Sequence, residues 1–250
     1  MRSILSLVAA CAFAISAVHA QDLAATCHAS SSYDLTIRPD GLLFDRTDPR
    51  PRRIELHDGG LRSDGAVVPL NTEDRDRLAL FERELRALVP KAREVATRGV
   101  DLAVDAVRAE TAGLGLGADT RAELGHKLAA RAGELKARIA TSTSTHDWQG
   151  DLLDRYADDL TADLVPLLAQ DLGQQAVAAA LSGDLEAADA LRDHAADLGS
   201  DLQPRLERRM QALRPQIQAL CPALGRLYEL QRDVRGAAGR PLALLQVGKD

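Results

Sequence analysis

The residues whose side chains are best suited to reactive or metal-binding chemistry are two cysteines near opposite ends of the chain. Cys27 is followed directly by His28, and Cys221 lies towards the C-terminus. A thiolate acts as a nucleophile or a metal ligand when it stays reduced, whereas two cysteines in an oxidising compartment form a disulfide. The role of Cys27 therefore depends on the compartment in which the chain folds.

The other histidines do not complete a metal-binding pattern with Cys27 and His28. Zinc sites use paired cysteines, or histidines one helical turn apart, and the chain contains no H-E-x-x-H sequence. These histidines fall on separate predicted elements, so we interpret them as solvent-facing and predict no metal and no cofactor. They are His57, His126, His146 and His194.

A glycine-rich stretch, GLGLG at 113–117, superficially resembles a phosphate-binding loop. Such loops follow a strand and carry a lysine. This stretch follows a predicted helix and contains no lysine, so we interpret it as a linker between helices.

An acidic segment over residues 147–201 is the most unusual charge pattern, with thirteen acidic and two basic residues. Four of its aspartates are spaced four apart and would repel each other on one face of a continuous helix. We interpret them as a solvated face partly complemented by the basic C-terminal helix, with weak Ca²⁺ or Mg²⁺ attraction as the alternative. No calcium-binding loop accompanies them. They are Asp189, Asp193, Asp197 and Asp201.

The N-terminus predicts export. Arg2 precedes an apolar or small run over residues 4–18, which ends at a small-x-small site suited to cleavage between Ala20 and Gln21. The run is shorter than the ~20 residues that span a bilayer, and no comparable run follows. We therefore expect a cleaved signal peptide and a soluble periplasmic chain without a transmembrane segment. A lipidated Cys11 is the alternative, but it would leave a very short hydrophobic core.

Export decides between the readings of Cys27. Cleavage leaves two cysteines, so the sequence predicts a Cys27–Cys221 disulfide rather than a nucleophile or a metal ligand. The chain carries a net charge of −6 and 3% aromatic residues. An acidic, aromatic-poor chain of this kind predicts no nucleic-acid partner.

Short strands and turns follow the signal peptide. YDLTIRPDGLLF and RIELHDGGLRSDGAVVPL alternate apolar and polar residues around D-G turn signals. We predict an N-terminal β unit over 21–70, an antiparallel meander of three or four strands. The basic stretch DRTDPRPRR is an irregular connection within it, because proline cannot donate to a ladder.

The hydrophobic period changes from two to 3.6 after Leu70. We predict a helical domain over 71–235 with about six helices in antiparallel hairpins or a bundle, and a flexible C-terminal tail over 236–250. Pro90 interrupts the first helical stripe, and Thr120 with Glu123 forms a capping box for a later helix. The predicted fold class is mainly α, as an α+β protein.

The chain resembles the YggN-like periplasmic proteins of Gram-negative bacteria. The shared features are Cys27, PDG at 39–41, GAVVPLN at 65–71, RELRALVP at 83–90 and, more weakly, Cys221. The resemblance implies a periplasmic compartment and this architecture. It implies no catalytic residues, because the function of the family is unknown.

These observations leave three functional hypotheses. The leading one is a non-enzymatic envelope module that binds a protein partner. The first alternative is a periplasmic hydrolase with acidic residues near the sheet–helix junction, although the abundance of aspartates selects no catalytic pair. The second is a module that binds a small ligand or a divalent cation. The oligomeric state is left open.

Overall fold

A computed structural model confirms the predicted fold class: a mainly helical α+β protein with an antiparallel sheet towards the N-terminus. The chain divides into two compact units, which we call the sheet unit and the helical unit. The described residues are 26–148, 152–187, 190–191, 208–209 and 211–248. Of these, the sheet unit contains 26–96, 140–148 and 214–248, and the helical unit contains the rest.

The sheet unit is built on five antiparallel strands that follow one another in chain order. The predicted meander is therefore correct in type but has five strands rather than three or four. Apolar residues face each other across it, as in the pairs Leu42–Leu56 and Phe44–Ile54. The strands are β2 (Asp34–Arg38), β3 (Gly41–Asp45), β4 (Arg53–His57), β5 (Gly60–Ser63) and β6 (Ala66–Val68), and the short β1 (Ala29–Ser30) lies outside this sheet.

The turn between β4 and β5 requires a glycine. Asp58 and Gly59 both have positive φ, 47° and 75°, which suits the twist of a two-residue hairpin. A Cβ on Gly59 would also lie 2.3 Å from the carbonyl oxygen of Arg75. This glycine therefore sets both the hairpin and the close approach of the following helix.

Helix α1 (Thr72–Ala112) begins at a polar cap and continues through its proline. The Asp74 amide donates to Asn71 Oδ1 at 2.7 Å, as expected for an N-cap. The predicted interruption at Pro90 is wrong, because the helix runs on for more than twenty residues. An interior proline costs roughly 3 kcal/mol, and buried contacts such as those of Phe81 and Leu88 offset that cost.

The segment at 142–148 covers the outer edge of β2. The amide of Ile37 donates to the carbonyl oxygen of Thr143 at 2.8 Å, and Thr36 pairs with Ser144. His146 Nε2 lies 3.0 Å from Asp45 Oδ2. The segment therefore supplies hydrogen-bonding partners to the edge strand β2, which protects that strand from pairing with another chain.

The C-terminal elements complete the core of the sheet unit. Helices α4 (Arg214–Gln218) and α5 (Cys221–Arg232) precede strand β7 (Gln246–Val247), which pairs with β1. The core cluster consists of Tyr33, Leu42, Phe44, Ile54, Leu56, Leu61, Leu78, Phe81, Leu88, Leu220, Leu227, Val234, Leu242 and Leu244.

The sequence predicts a flexible tail over 236–250. The structure differs from this prediction up to residue 248. Leu242 and Leu244 are 4% and 1% exposed. Gln231, itself buried, accepts hydrogen bonds from the Leu244 and Leu245 amides at 2.8 and 3.0 Å. A buried side-chain amide thus satisfies main-chain groups that would otherwise keep this segment in water.

The helical unit contains the end of α1, all but the last two residues of α2 (Ala118–Thr141), and α3 (Leu152–Ser182). Leu114 and Leu116 are buried, so the GLGLG linker contributes to a core as well as joining two helices. Ion pairs accompany this core, including Arg131 with Asp163 at 2.8 Å. The buried cluster is Leu114, Leu116, Leu124, Leu128 and Leu164.

Asp171 on α3 caps the start of α2. It accepts hydrogen bonds from the Gly117 amide at 3.2 Å and from the Thr120 hydroxyl at 3.0 Å. The predicted capping box of Thr120 and Glu123 is wrong, because α2 begins earlier, at Ala118. A carboxylate distant in sequence therefore supplies the cap that the local pattern assigned to Thr120.

Candidate functional site

A cavity of about 140 Å³ lies in the sheet unit, beside the C-terminal segment. Three of its lining side chains are arginines, and none of the residues that line it is acidic. The lining residues come from three stretches that are far apart in sequence. They are Tyr33, Arg46, Arg50, Pro51, Ile54, Leu61, Ser63, Gly236, Ala237, Arg240, Pro241, Leu242 and Ala243.

Arg46 is held in place by neutral partners. Its guanidinium carbon lies 4.0 Å from the centre of the Tyr33 ring, which is a cation–π contact. Its Nε donates to the Pro51 carbonyl oxygen at 3.1 Å, and its Nη1 donates to Ser32 Oγ at 2.7 Å. The position of this guanidinium is thus fixed without neutralising its charge.

Arg50 and Arg240 line the same cavity and are exposed. Among the described residues, neither side chain makes an ion pair or a hydrogen bond. Nearby Asp64 is already engaged, because its Oδ1 accepts from the amides of Arg52 and Arg53 at 2.8 and 2.9 Å. The guanidinium groups of Arg50 and Arg240 are therefore not paired with a carboxylate of the described residues.

Tyr33 supplies an aromatic wall and a polar group. Burial raises the pKa of its phenol, whereas the positive charges of Arg46 and Arg240 act in the opposite direction without cancelling that rise. The phenol is therefore protonated at neutral pH, and it donates to the Pro51 carbonyl oxygen at 3.1 Å. The Ser63 hydroxyl also lines the cavity and makes no hydrogen bond to a described residue.

The cavity floor is apolar. Ile54, Leu61 and Leu242 are each less than 5% exposed and belong to the core of the sheet unit. A cavity of roughly 150 Å³ with aliphatic and aromatic walls holds one benzene molecule. This cavity is therefore large enough for one ring or one branched side chain, with guanidinium groups beside it.

A second cavity, of about 190 Å³, lies in the helical unit and differs in chemistry. No charged residue is among those that line it, and its polar side chain is Gln175. That side chain already donates to Asp171 Oδ2 at 2.8 Å. This cavity offers apolar surface without a group that would select a ligand.

The two cysteines singled out in the sequence are joined in the structure. Cys27 and Cys221 form a disulfide, with Cα atoms 5.1 Å apart. This bond ties the segment before the sheet to the start of α5, close to the pairing of β1 with β7. Cys27 therefore has a structural role in this state.

The histidines have separate surroundings. His57 contacts the Asp40 carbonyl oxygen, and this hydrogen bond, followed by the Asp58 charge, raises the pKa of the His57 imidazole. His126 is exposed on α2, and His146 lies beside Asp45. Within the described ranges, no group of three or more histidine, cysteine, aspartate or glutamate residues is arranged to hold a metal.

Several sequence predictions lie outside the described residues. These are the cleavage site between Ala20 and Gln21, His194, and the four aspartates spaced four apart. In the described part of the acidic segment, Asp159 and Asp163 pair with Arg131. Those two carboxylates therefore have a basic partner on α2.

The three arginines of the cavity were missed as a site. Arg46 and Arg50 belong to DRTDPRPRR, interpreted as an irregular connection, and Arg240 belongs to the segment interpreted as a flexible tail. The signal in the sequence was the density of arginines around two prolines. Nothing local indicates that a residue almost two hundred positions later joins them.

The fold and the cavity together define a disulfide-linked α+β protein with an arginine-lined site. No described helix has both the length and the apolar character needed to cross a bilayer. The chain matches the family model described as "Protein of unknown function (DUF2884)" over residues 27–240, and it belongs to that family. Searches of curated proteins and of solved structures found no match.

Proposed function

We propose that this chain is a periplasmic binding module for a small organic anion, which occupies the cavity of the sheet unit. The observation that carries the proposal is the charge at Arg46, Arg50 and Arg240 beside an apolar floor, with no acidic lining residue. Guanidinium groups bind carboxylates and phosphates through charge-assisted hydrogen bonds. The cavity volume limits the apolar part of the ligand to about one ring.

The same geometry favours binding over hydrolysis. The predicted hydrolase needed acidic residues at the sheet–helix junction, and the buried carboxylate there, Glu82, pairs with Arg86 at 3.1 Å. Arg86 in turn donates to the carbonyl oxygens of Arg38 and Gly41. These contacts give Glu82 a structural partner, so the hydrolase hypothesis gains no support from this carboxylate.

The compartment belongs to the same proposal. The signal-like N-terminus and the resemblance to YggN-like proteins support export to the periplasm, where a Cys27–Cys221 disulfide is favoured. The exposed side chains on and after α3, Val177, Leu181 and Leu185, are a weaker basis for a function. The described residues do not indicate what would cover them.

Calorimetric titration tests the proposal with phenylacetate, phenyl phosphate, inorganic phosphate and benzyl alcohol. We expect binding of one or both aromatic anions, and much weaker binding of inorganic phosphate and of the uncharged alcohol. Arg240→Gln should weaken binding by roughly 10- to 100-fold, as for loss of a hydrogen bond to a charged group. Arg83→Gln, an exposed arginine of α1 away from the cavity, is the matched control. Absence of aromatic-anion binding, or equal losses in both variants, would refute the proposal.

A further inference from the structure

The main chain beside the cavity has unused hydrogen-bonding groups. The Arg240 carbonyl accepts from the Gly236 amide at 2.7 Å, and the Leu242 amide donates to the Val234 carbonyl at 2.9 Å. Between and beyond these bonds, the Pro241 carbonyl and the Ala243 amide make no hydrogen bond to a described residue. One stretch of the cavity wall therefore offers both a free acceptor and a free donor.

These groups lie on the lining segment that also carries Arg240. Pro241 and Ala243 line the cavity and are exposed. An amide and a carbonyl two residues apart are the groups that an extended peptide uses when it binds alongside another chain. A free small molecule without peptide groups would leave both of them unused.

We infer that the cavity binds the C-terminus of a polypeptide, with its α-carboxylate among the arginines and its last side chain on the apolar floor. This inference rests on the proposed function, since it names the class of anion. The observations that carry it are the unpaired guanidinium groups of Arg50 and Arg240, a cavity sized for one side chain, and the free main-chain groups of residues 241 and 243.

The chemistry of a chain terminus matches each of these three features. An α-carboxylate is a planar anion that fits the guanidinium fork. One aliphatic or aromatic side chain fits a cavity of about 140 Å³. In an extended chain the N–H and C=O of one residue point to the same side. The penultimate residue can therefore donate to the Pro241 carbonyl and accept from the Ala243 amide. The module would thus recognise proteins or peptides by their free ends.

Fluorescence polarisation with the full, disulfide-linked chain tests this inference. The probe is a fluorescein-labelled hexapeptide that ends in Ala-Phe with a free carboxylate, and its C-terminal amide is the matched control peptide. We expect the free acid to bind at least about tenfold more tightly than the amide, because the amide loses the charge-assisted hydrogen bonds. Equal binding of the two peptides would overturn the inference.

The variant Ala243→Pro separates the peptide from a small carboxylate, and two other variants serve as controls. Ala243→Pro removes a main-chain donor that has no partner among the described residues, so it should weaken the hexapeptide several-fold more than it weakens phenylacetate. Arg240→Gln should weaken both ligands, and Arg83→Gln neither. If Ala243→Pro does not fold, as judged by Trp148 fluorescence, the comparison of free acid with amide still decides the inference.

The two proposals fail in different ways. Binding of phenylacetate without binding of the hexapeptide would overturn the inference and leave the proposed function intact. Absence of binding for the hexapeptide, phenylacetate and phenyl phosphate would overturn both. Equal weakening of both ligands by Ala243→Pro in a folded protein would also contradict the inference, because the donor would then not be specific to the peptide.

Discussion

The sheet unit and the helical unit both bury leucine-rich clusters, but they differ in how sequence-distant segments contribute. In the sheet unit, residues near position 40, in α1 and after position 215 share one core, and a disulfide links its ends. In the helical unit, neighbouring helices meet along seams flanked by ion pairs such as Lys136 with Asp101. The charged cavity lies in the unit built from distant segments.

The difference between the two units explains where charged side chains from distant parts of the chain can converge. A helical seam buries similar side chains along its length. The cavity of the helical unit is lined by no charged residue among those described. Joining distant segments brings together groups that could not be adjacent within one element. The arginines of the cavity are an example, since Arg46 and Arg240 come from a connection between strands and from the C-terminal segment.

Loss of the disulfide in the sheet unit should lower the stability of the chain more than the other substitutions below. Loop-closure arithmetic for a separation of 194 residues gives roughly 5 kcal/mol, and measured gains are often smaller. Cys27→Ser and Cys221→Ser should therefore destabilise the chain to a similar extent, and the double variant should be no worse than either. Urea unfolding followed by Trp148 fluorescence measures this. Additive losses, or two free thiols in the native chain by mass mapping, would contradict the assignment.

A slightly smaller effect is expected at the C-terminal segment. Leu244 is 1% exposed, so Leu244→Ala should lower the free energy of unfolding by roughly 2–5 kcal/mol through the cavity it leaves. Leu181→Ala, at an 84% exposed position on α3, should change it by less than about 0.5 kcal/mol. Equal effects of the two substitutions would mean that residues 242–248 do not belong to the core.

The next effect concerns the helical unit and depends on pH. Burial raises the pKa of the Asp171 carboxyl, but hydrogen bonds from Gly117, Thr120 and Gln175 outweigh this and lower it overall. Its stabilisation is therefore fully present above the ordinary pKa of ~3.9 and is lost as the pH falls through the lower folded value. Both Asp171 oxygens accept hydrogen bonds, and Asp171→Asn replaces one of these acceptors with a donor. It should therefore cost about 1 kcal/mol at neutral pH, and less in acid.

Thermal unfolding of the unsubstituted chain and of Asp171→Asn between neutral and acidic pH, followed by circular dichroism, measures their difference in stability. Asp105→Asn is the control, because Asp105 is an exposed aspartate of α1 in the same unit, paired with Arg108 at 3.8 Å. The stability difference between the unsubstituted chain and Asp171→Asn should shrink as the pH falls. A difference that grows instead would contradict the capping role.

The sequence predicted most of what depends on local patterns. Alternation with D-G turns indicated the hairpins, and the change of hydrophobic period after Leu70 indicated the start of α1. The errors arose where distant residues override local preference. Packing carries α1 through Pro90, and Asp171 replaces the local cap expected at Thr120.

The candidate site was harder to predict for the same reason. The alternation of Leu242 and Leu244 is too short to indicate a buried segment, and the contact that stabilises it comes from Gln231 on α5. The sequence does not reveal that contact, so it does not predict that residues 236–243 lie beside DRTDPRPRR. The arginines were therefore visible in the sequence, but the cavity that they share was not.

Mapping which of the two units the ligand contacts is the most direct test of the proposed binding site. In a titration of the ¹⁵N-labelled chain with the Ala-Phe peptide, we expect saturable shifts of the amide signals of Ser63, Gly236 and Ala243. Amide signals of α3, such as that of Val177, should stay unchanged, and Arg240→Gln should abolish the shifts at the same peptide concentration. Shifts centred on α3, or no shift at residues 236–243, would contradict the assignment of the binding site to the sheet unit.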